Sequence, residues 1–134
     1  MKYTPENIIT LEPHQRYVFG SNGQGIHKKG AALKALEFGA ILGQAFGPQG
    51  KTFAIITKMN WRVEKSSPLE DIKIQIQLFL EYAKKHKELE FLVVKIGSSL
   101  AGYTIKEMGD LFRSLDIPDN VILPFEYSKD FLLN

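Results

Sequence analysis

Three times along this chain an apolar run gives way to a loop of small residues and then to a helical pattern. "YVFGSNG" leads into a segment with Ala31, Ala32, Ala35 and Leu36 at one-face spacing. "TFAIITK" leads, past a polar stretch, into Ser67-Pro68-Leu69-Glu70. "EFLVVKIG" leads through "SSLAGY" into Thr104-Ile105-Lys106-Glu107. Strands that alternate with helices are joined by crossovers and come back parallel. The expected fold class is therefore α/β, with a mixed, mostly parallel central sheet and helices on both faces. At 134 residues a single domain spanning 1–134 is expected, large enough to bury a core without disulfide or metal staples.

The elements follow from local chemistry. A strand is expected over 16–19, running into a Gly20-Ser21-Asn22-Gly23 loop, then a helix from about His27 to Phe38 stopped by Gly39. Residues 39–51 read as a glycine-rich connection with its turn at 47–50. The β-rich run 52–58 reads as a buried strand. At the second helix Ser67 suits the cap, Pro68 the first helical position and Glu70 a capping box. Its apolar stripe is Leu69, Ile72, Ile76, Phe79, Leu80 and Ala83. The near-continuous apolar run 90–97 predicts a strand covered on both faces. A second capping box, Thr104 to Glu107, opens a helix with Ile105, Met108, Leu111, Phe112 and Leu115 on one face. The last strand is expected over 121–125, with Phe131 and Leu132 of the tail candidates for packing back on the core.

Several function classes are disfavoured at this level. The net charge of +2 is too small to indicate nucleic acid, which calls for a clustered basic stripe. With no cysteine, thiolate catalysis and zinc–thiolate sites are excluded. His14, His27 and His86 have no metal-ligand spacing, so neither a metal nor a cofactor is expected. The opening "MKYTPENIITLEP" lacks an apolar segment of secretory type, and no stretch approaches membrane-spanning length, so a cytoplasmic protein without a membrane partner is expected. Nothing in the chain bears on oligomeric state.

In open α/β sheets, ligands bind outside the C-terminal ends of the strands. Three loops meet that rule: 20–29, 58–61 and 97–103. In the first, four of the chain's eleven glycines fall within 18–32. Glycine lets a backbone approach a phosphate, Asn22 can bond a ribose hydroxyl, and Lys28 and Lys29 add positive charge. The dinucleotide motif GxGxxG and the P-loop pattern both fail here, and a plain turn remains the simpler reading of this loop taken alone. In the third, Ser98 and Ser99 can bond phosphate oxygens and Tyr103 can line a base or sugar pocket. The same serines also suit a turn, and Thr104 suits a cap. Lys58 ends a strand, where it can neutralise a phosphate or simply reach solvent. Trp61 can stack on a base or cover the core edge. His27 is a weaker candidate for catalysis than for a solvated or capping role, and His86 is expected to be a helix-end charge.

Taken in order, "VFGSN … HKKGAA … TFAIITK … KIGSSLAGY … NVILPF" resembles a family of small macro-domain-like proteins of bacteria and their phages, over about residues 16–125. Behind it lies a distant similarity to macrodomains, three-layer α/β/α folds that bind ADP-ribose and related NAD metabolites. The resemblance implies that Asn22 faces the distal ribose, that 28–32 begins the helix beside it, and that 97–103 wraps the diphosphate. It also implies kinship with the terminal ADP-ribose protein glycohydrolase branch, whose strand-end lysine matches Lys58. Three departures stand out: Ala101 falls where that branch has its catalytic aspartate, Ser99 where the diphosphate loop has glycine, and Lys28 and Lys29 replace small residues.

The expectation is thus a binding module for a nucleotide-type small molecule of the ADP-ribose class. Its ligand-binding residues would be Gly20, Ser21, Asn22, Gly30, Gly97, Ser98, Ser99, Leu100, Ala101, Gly102 and Tyr103. Whether it is an enzyme is left open. The alternatives are a hydrolase of ADP-ribosyl bonds or phosphate esters using Lys58 or His27, and a scaffold or phage-associated interaction protein with a degenerate site.

Overall fold

The computed structural model describes residues 2–27, 30–58, 67–96 and 102–133. Its strands are β1 (Gln15–Asn22), β2 (Gly47–Gln49), β3 (Thr52–Lys58), β4 (Glu90–Val93) and β5 (Val121–Ile122). Its helices are α1 (Gly30–Ala35), α2 (Leu69–Lys85) and α3 (Ile105–Arg113). Among the described residues the strands form one sheet in the order β2-β3-β1-β4-β5. β1 pairs in parallel with both β3 and β4, β4 pairs in parallel with β5, and only the edge strand β2 runs antiparallel.

Side chains alternate between faces along each strand. Val18, Phe53, Ile55, Phe91 and Val93 join one core with α2 and with Met108 and Phe112 of α3. Tyr17, Phe19, Ala54 and Leu92 join the other with Ala35 of α1 and Ile8 of the N-terminal segment. Helices thus cover both faces, giving the α/β/α layering the alternation predicts. The stripe read on α2 is the one buried: Ile72, Ile76, Phe79, Leu80 and Ala83. Phe79 meets Phe53 and Phe91 at ring-centroid distances of 5.0 and 5.4 Å. Burial of such side chains against a sheet is the main source of helix stability, and truncating the fully buried Ile76 to alanine would cost about 2–5 kcal/mol. Among the described residues no helix is long and apolar enough to cross a membrane.

Local signals hold where they are strong. β3 covers the expected span, Gly39 stops the first helical segment with a φ of 103°, and Thr104 and Glu107 form a complete capping box. Other expectations are corrected. β1 continues through Gly20, Ser21 and Asn22, because pairing with β3 carries the ladder past the point where residue type suggests a loop. Helical geometry is described from Gly30, not His27, and passes into a 3₁₀ turn over Leu36–Phe38. The 39–51 connection contains β2, in which Pro48 needs no donor because the strand lies on an edge. Ser67 does not cap α2; Pro68 holds the cap position without a side-chain bond. β4 ends at Val93, and Ile96 turns back to bond the Val94 carbonyl at 2.7 Å. β5 stops at Ile122, and Pro124 opens a 3₁₀ turn over Phe125–Tyr127. In the tail Phe131 packs edge-on against Phe125, whereas Leu132 is exposed.

Candidate functional site

Because β1, β3 and β4 are parallel neighbours, their C-terminal ends share one edge of the sheet. β1 lies between the other two, so the chain moves to one side of it for β3 and crosses to the other for β4. That is a topological switch point, where an open α/β sheet leaves a crevice. Asn22 and Lys58 are register partners at this edge, just past a break in the ladder that leaves Thr57 as the extra residue. Such bulges re-aim the side chains beyond them.

Asn22 is nearly buried, and its carboxamide organises the first loop. Oδ1 accepts from the backbone N–H groups of Gln24 and Ile26, both at 3.1 Å, while Nδ2 donates to the Ile26 carbonyl at 2.7 Å. A carboxamide has two N–H donors, and among the described residues the second has no partner. Lys58 is half-buried, and its carbonyl accepts from Gly23 N–H at 2.9 Å. The ribose-facing asparagine and the strand-end lysine expected from the sequence are therefore brought side by side.

Two of the glycines, Gly25 and Gly20, stand in close packing. Gly25 has a φ of 66°, and a Cβ there would stand 2.5 Å from the Gly43 carbonyl carbon, so the 22–27 loop lies directly on residues 43–44. A Cβ on Gly20 would meet Thr57 Oγ1 at 2.9 Å. Ser21 is buried, with its hydroxyl donating to the Ala45 carbonyl. Gly30 opens α1. His27, at 1% exposure, is not solvated. Its Nε2 donates to the Ile41 carbonyl at 3.1 Å, its ring stands edge-on to Phe19, and its Nδ1 is buried without a partner. A carbonyl can only accept, which fixes the proton on Nε2.

Tyr103 ends the third loop. Its hydroxyl donates to the Ser67 carbonyl at 2.6 Å. Burial and then the Glu107 carboxylate push the phenol pKa up, keeping it protonated as that bond requires. Gly102 precedes it with a φ of 87°. Three contributors carried no usable sequence signal. Tyr127 is fully buried, stacks on Phe112 at 5.3 Å and donates to the Ile96 carbonyl at 2.8 Å, immediately before the third loop. Gln49 holds the 41–44 turn through Ile41 N–H and the Gln44 carbonyl. Thr57 Oγ1 donates to the Ser21 carbonyl at 3.3 Å. Lys95, beside Ile96, pairs with Glu126 and Glu6, each at 3.0 Å, and those bonds raise its pKa. Lys28, Lys29, Trp61, Gly97, Ser98, Ser99, Leu100 and Ala101 lie outside the described residues. A separate cavity of about 310 Å³ lies between the N-terminal segment and Gln15 and Leu92, towards the other end of β1.

No family model matches the chain, and no curated protein does. Two solved structures do. One is the macrodomain of Mycobacterium tuberculosis DarG, with a TM-score of 0.56 and 18% identity over 92% of this chain and 95% of that one. The other is Thermosipho africanus DarTG in complex with ADP-ribose, with a TM-score of 0.54 and 20% identity over 91% of this chain and 43% of that one. The chain has the macrodomain fold. It spans less than half the length of the Thermosipho protein. The sequence resemblance and the structural likeness point to the same fold.

Proposed function

We propose that this macrodomain-fold chain binds ADP-ribose or a closely related NAD-derived nucleotide at the C-terminal edge of its sheet. The observation that carries the reading is the pairing of Asn22 with Lys58 at the strand ends. One uncommitted amide donor beside a cation suits a ribose hydroxyl next to a phosphate. The fold supports it, since the Thermosipho protein that shares it is solved with ADP-ribose. In this reading Asn22 donates to the ribose and Lys58 balances phosphate charge. The backbone from Gly97 through Ser98, Ser99, Leu100, Ala101 and Gly102 holds the diphosphate, and Tyr103 closes that loop. Gly20, Ser21 and Gly30 shape the edge through backbone and packing.

His27 is 1% exposed with its Nε2 committed to a carbonyl, which leaves Lys58 as the candidate should this edge also turn its ligand over. Calorimetric titration with ADP-ribose, with AMP and ribose 5-phosphate as controls, tests the proposal. Selective heat with ADP-ribose is the expected result. No heat and no thermal stabilisation would overturn it.

A further inference from the structure

One run of hydrogen bonds ties together the chain segments that flank all three loops of this edge. Tyr103 Oη donates to the Ser67 carbonyl at 2.6 Å, and Ser67 N–H donates to the Thr57 carbonyl at 2.9 Å. Thr57 Oγ1 donates to the Ser21 carbonyl at 3.3 Å, and the Ser21 hydroxyl donates to the Ala45 carbonyl. Tyr103 closes the loop after β4, Ser67 the segment after β3, and Ser21 precedes the loop after β1. Ala45 belongs to the connection on which that loop packs. The run is buried at its centre: Ser21, Thr57 and Ser67 are each 5% exposed or less. Water does not compete there, so each hydroxyl bond adds its full share to the tie. Gly20 fits the same arrangement, since any side chain on it would strike Thr57 Oγ1.

We propose that Thr57 and Tyr103 are positioning residues that fix the spacing between the end of β1, the end of β3 and the segments that lead into α2 and α3, so that a ligand meets a preformed edge. The ligand part rests on the ADP-ribose reading above; the coupling between loops does not. Preorganisation of this kind reduces the ordering cost of binding.

β3 supplies its own control. Thr52, at the opposite end of the same strand, is also buried and also donates its hydroxyl to a carbonyl, that of Gln49 at 2.6 Å. Thr57→Val and Thr52→Val therefore remove the same group from the same strand, one inside the run and one outside it. In the protein alone, amide exchange is followed at Gly25 and Ile26, whose N–H groups bond to Asn22 within the first loop, and at Gly23, whose N–H bonds to the Lys58 carbonyl. Thr57→Val and Tyr103→Phe are expected to speed exchange there by about 5-fold after correction for global stability, the equivalent of one net hydrogen bond. Thr52→Val should leave it unchanged, and Thr57→Ser should restore it. ADP-ribose affinity should fall about 5-fold in the first two variants and hold in the other two. Equal behaviour of Thr57→Val and Thr52→Val, or a Tyr103→Phe effect confined to its own neighbourhood, would overturn the proposal. If the wild type bound no ADP-ribose, the binding reading would fall and the exchange data would still decide the coupling. If Thr57→Val did not fold, Tyr103→Phe would carry the test.

Discussion

Asn22 and Asn120 sit at opposite ends of the sheet, and each makes three hydrogen bonds to backbone. Asn120 precedes β5, and its Nδ2 donates to the carbonyls of Ala83, His86 and Leu89 at 2.9–3.2 Å, tying the end of α2 to the start of β4. All its donor capacity is spent on the fold. Asn22 makes two of its three bonds as an acceptor and, among the described residues, keeps one N–H in hand. The same residue type is a closed staple at one end and a staple with a spare donor at the other. The lesson is that the chemistry open to a ligand is what remains after the backbone has been satisfied, and a count of bonds alone does not show it.

The contrast can be broken at either end. The largest effect should come from Asn120→Ala, which removes the donor shared by three carbonyls, those of Ala83 and His86 keeping their backbone bonds, and should lower stability by about 2 kcal/mol while ADP-ribose affinity holds. Denaturant titration and calorimetry on the same sample check both halves. Asn22→Ala should cost both: about 1–2 kcal/mol of stability from the lost staple, and a tenfold or greater loss of affinity from the lost donor. An intact affinity would remove Asn22 from the site. Lys58→Gln should leave stability within about 0.5 kcal/mol and weaken binding roughly 3- to 10-fold, with a shallower salt dependence than the wild type. Titrations at two ionic strengths read both.

The smallest effect belongs to the far end. Burial raises the Glu90 pKa, but bonds from Lys2 and Gln15 outweigh it and leave the carboxyl below its ordinary value. A carboxylate with a depressed folded pKa contributes stability above its unfolded pKa, and that contribution is lost as the pH falls through the folded one. Thermal melts of wild type and Glu90→Gln should therefore differ near pH 6 and converge as acidification protonates Glu90. A gap that persists into strong acid would show that packing, not charge, separates the two proteins.

The legible parts of the chain were those fixed by neighbours in sequence. The β-branched run of β3, the α2 stripe and the Thr104–Glu107 box all depend on residues within a turn or two of one another. β2 was not legible, because Gly47-Pro48-Gln49 has no strand preference of its own. It is a strand through pairing with β3 and through the reach of Gln49 back to Ile41 and Gln44. The extension of β1 through Asn22 is likewise imposed by β3. His27 reads as a loop residue until the 41–45 segment folds over it. At the site, strand-end placement made Asn22, Lys58 and Tyr103 visible as candidates. Thr57 and Tyr127 were not, because their hydroxyls act on carbonyls 36 and 31 residues away.

The central claim is a location: a nucleotide held where β1, β3 and β4 end. An amide-resolved NMR titration with ADP-ribose addresses it directly. Shifts gathered at Asn22–His27, Lys58 and Gly102–Tyr103, with Gln15 and Asn120 unmoved, are the predicted result. Shifts centred on the N-terminal segment and Gln15, or none anywhere, would contradict it.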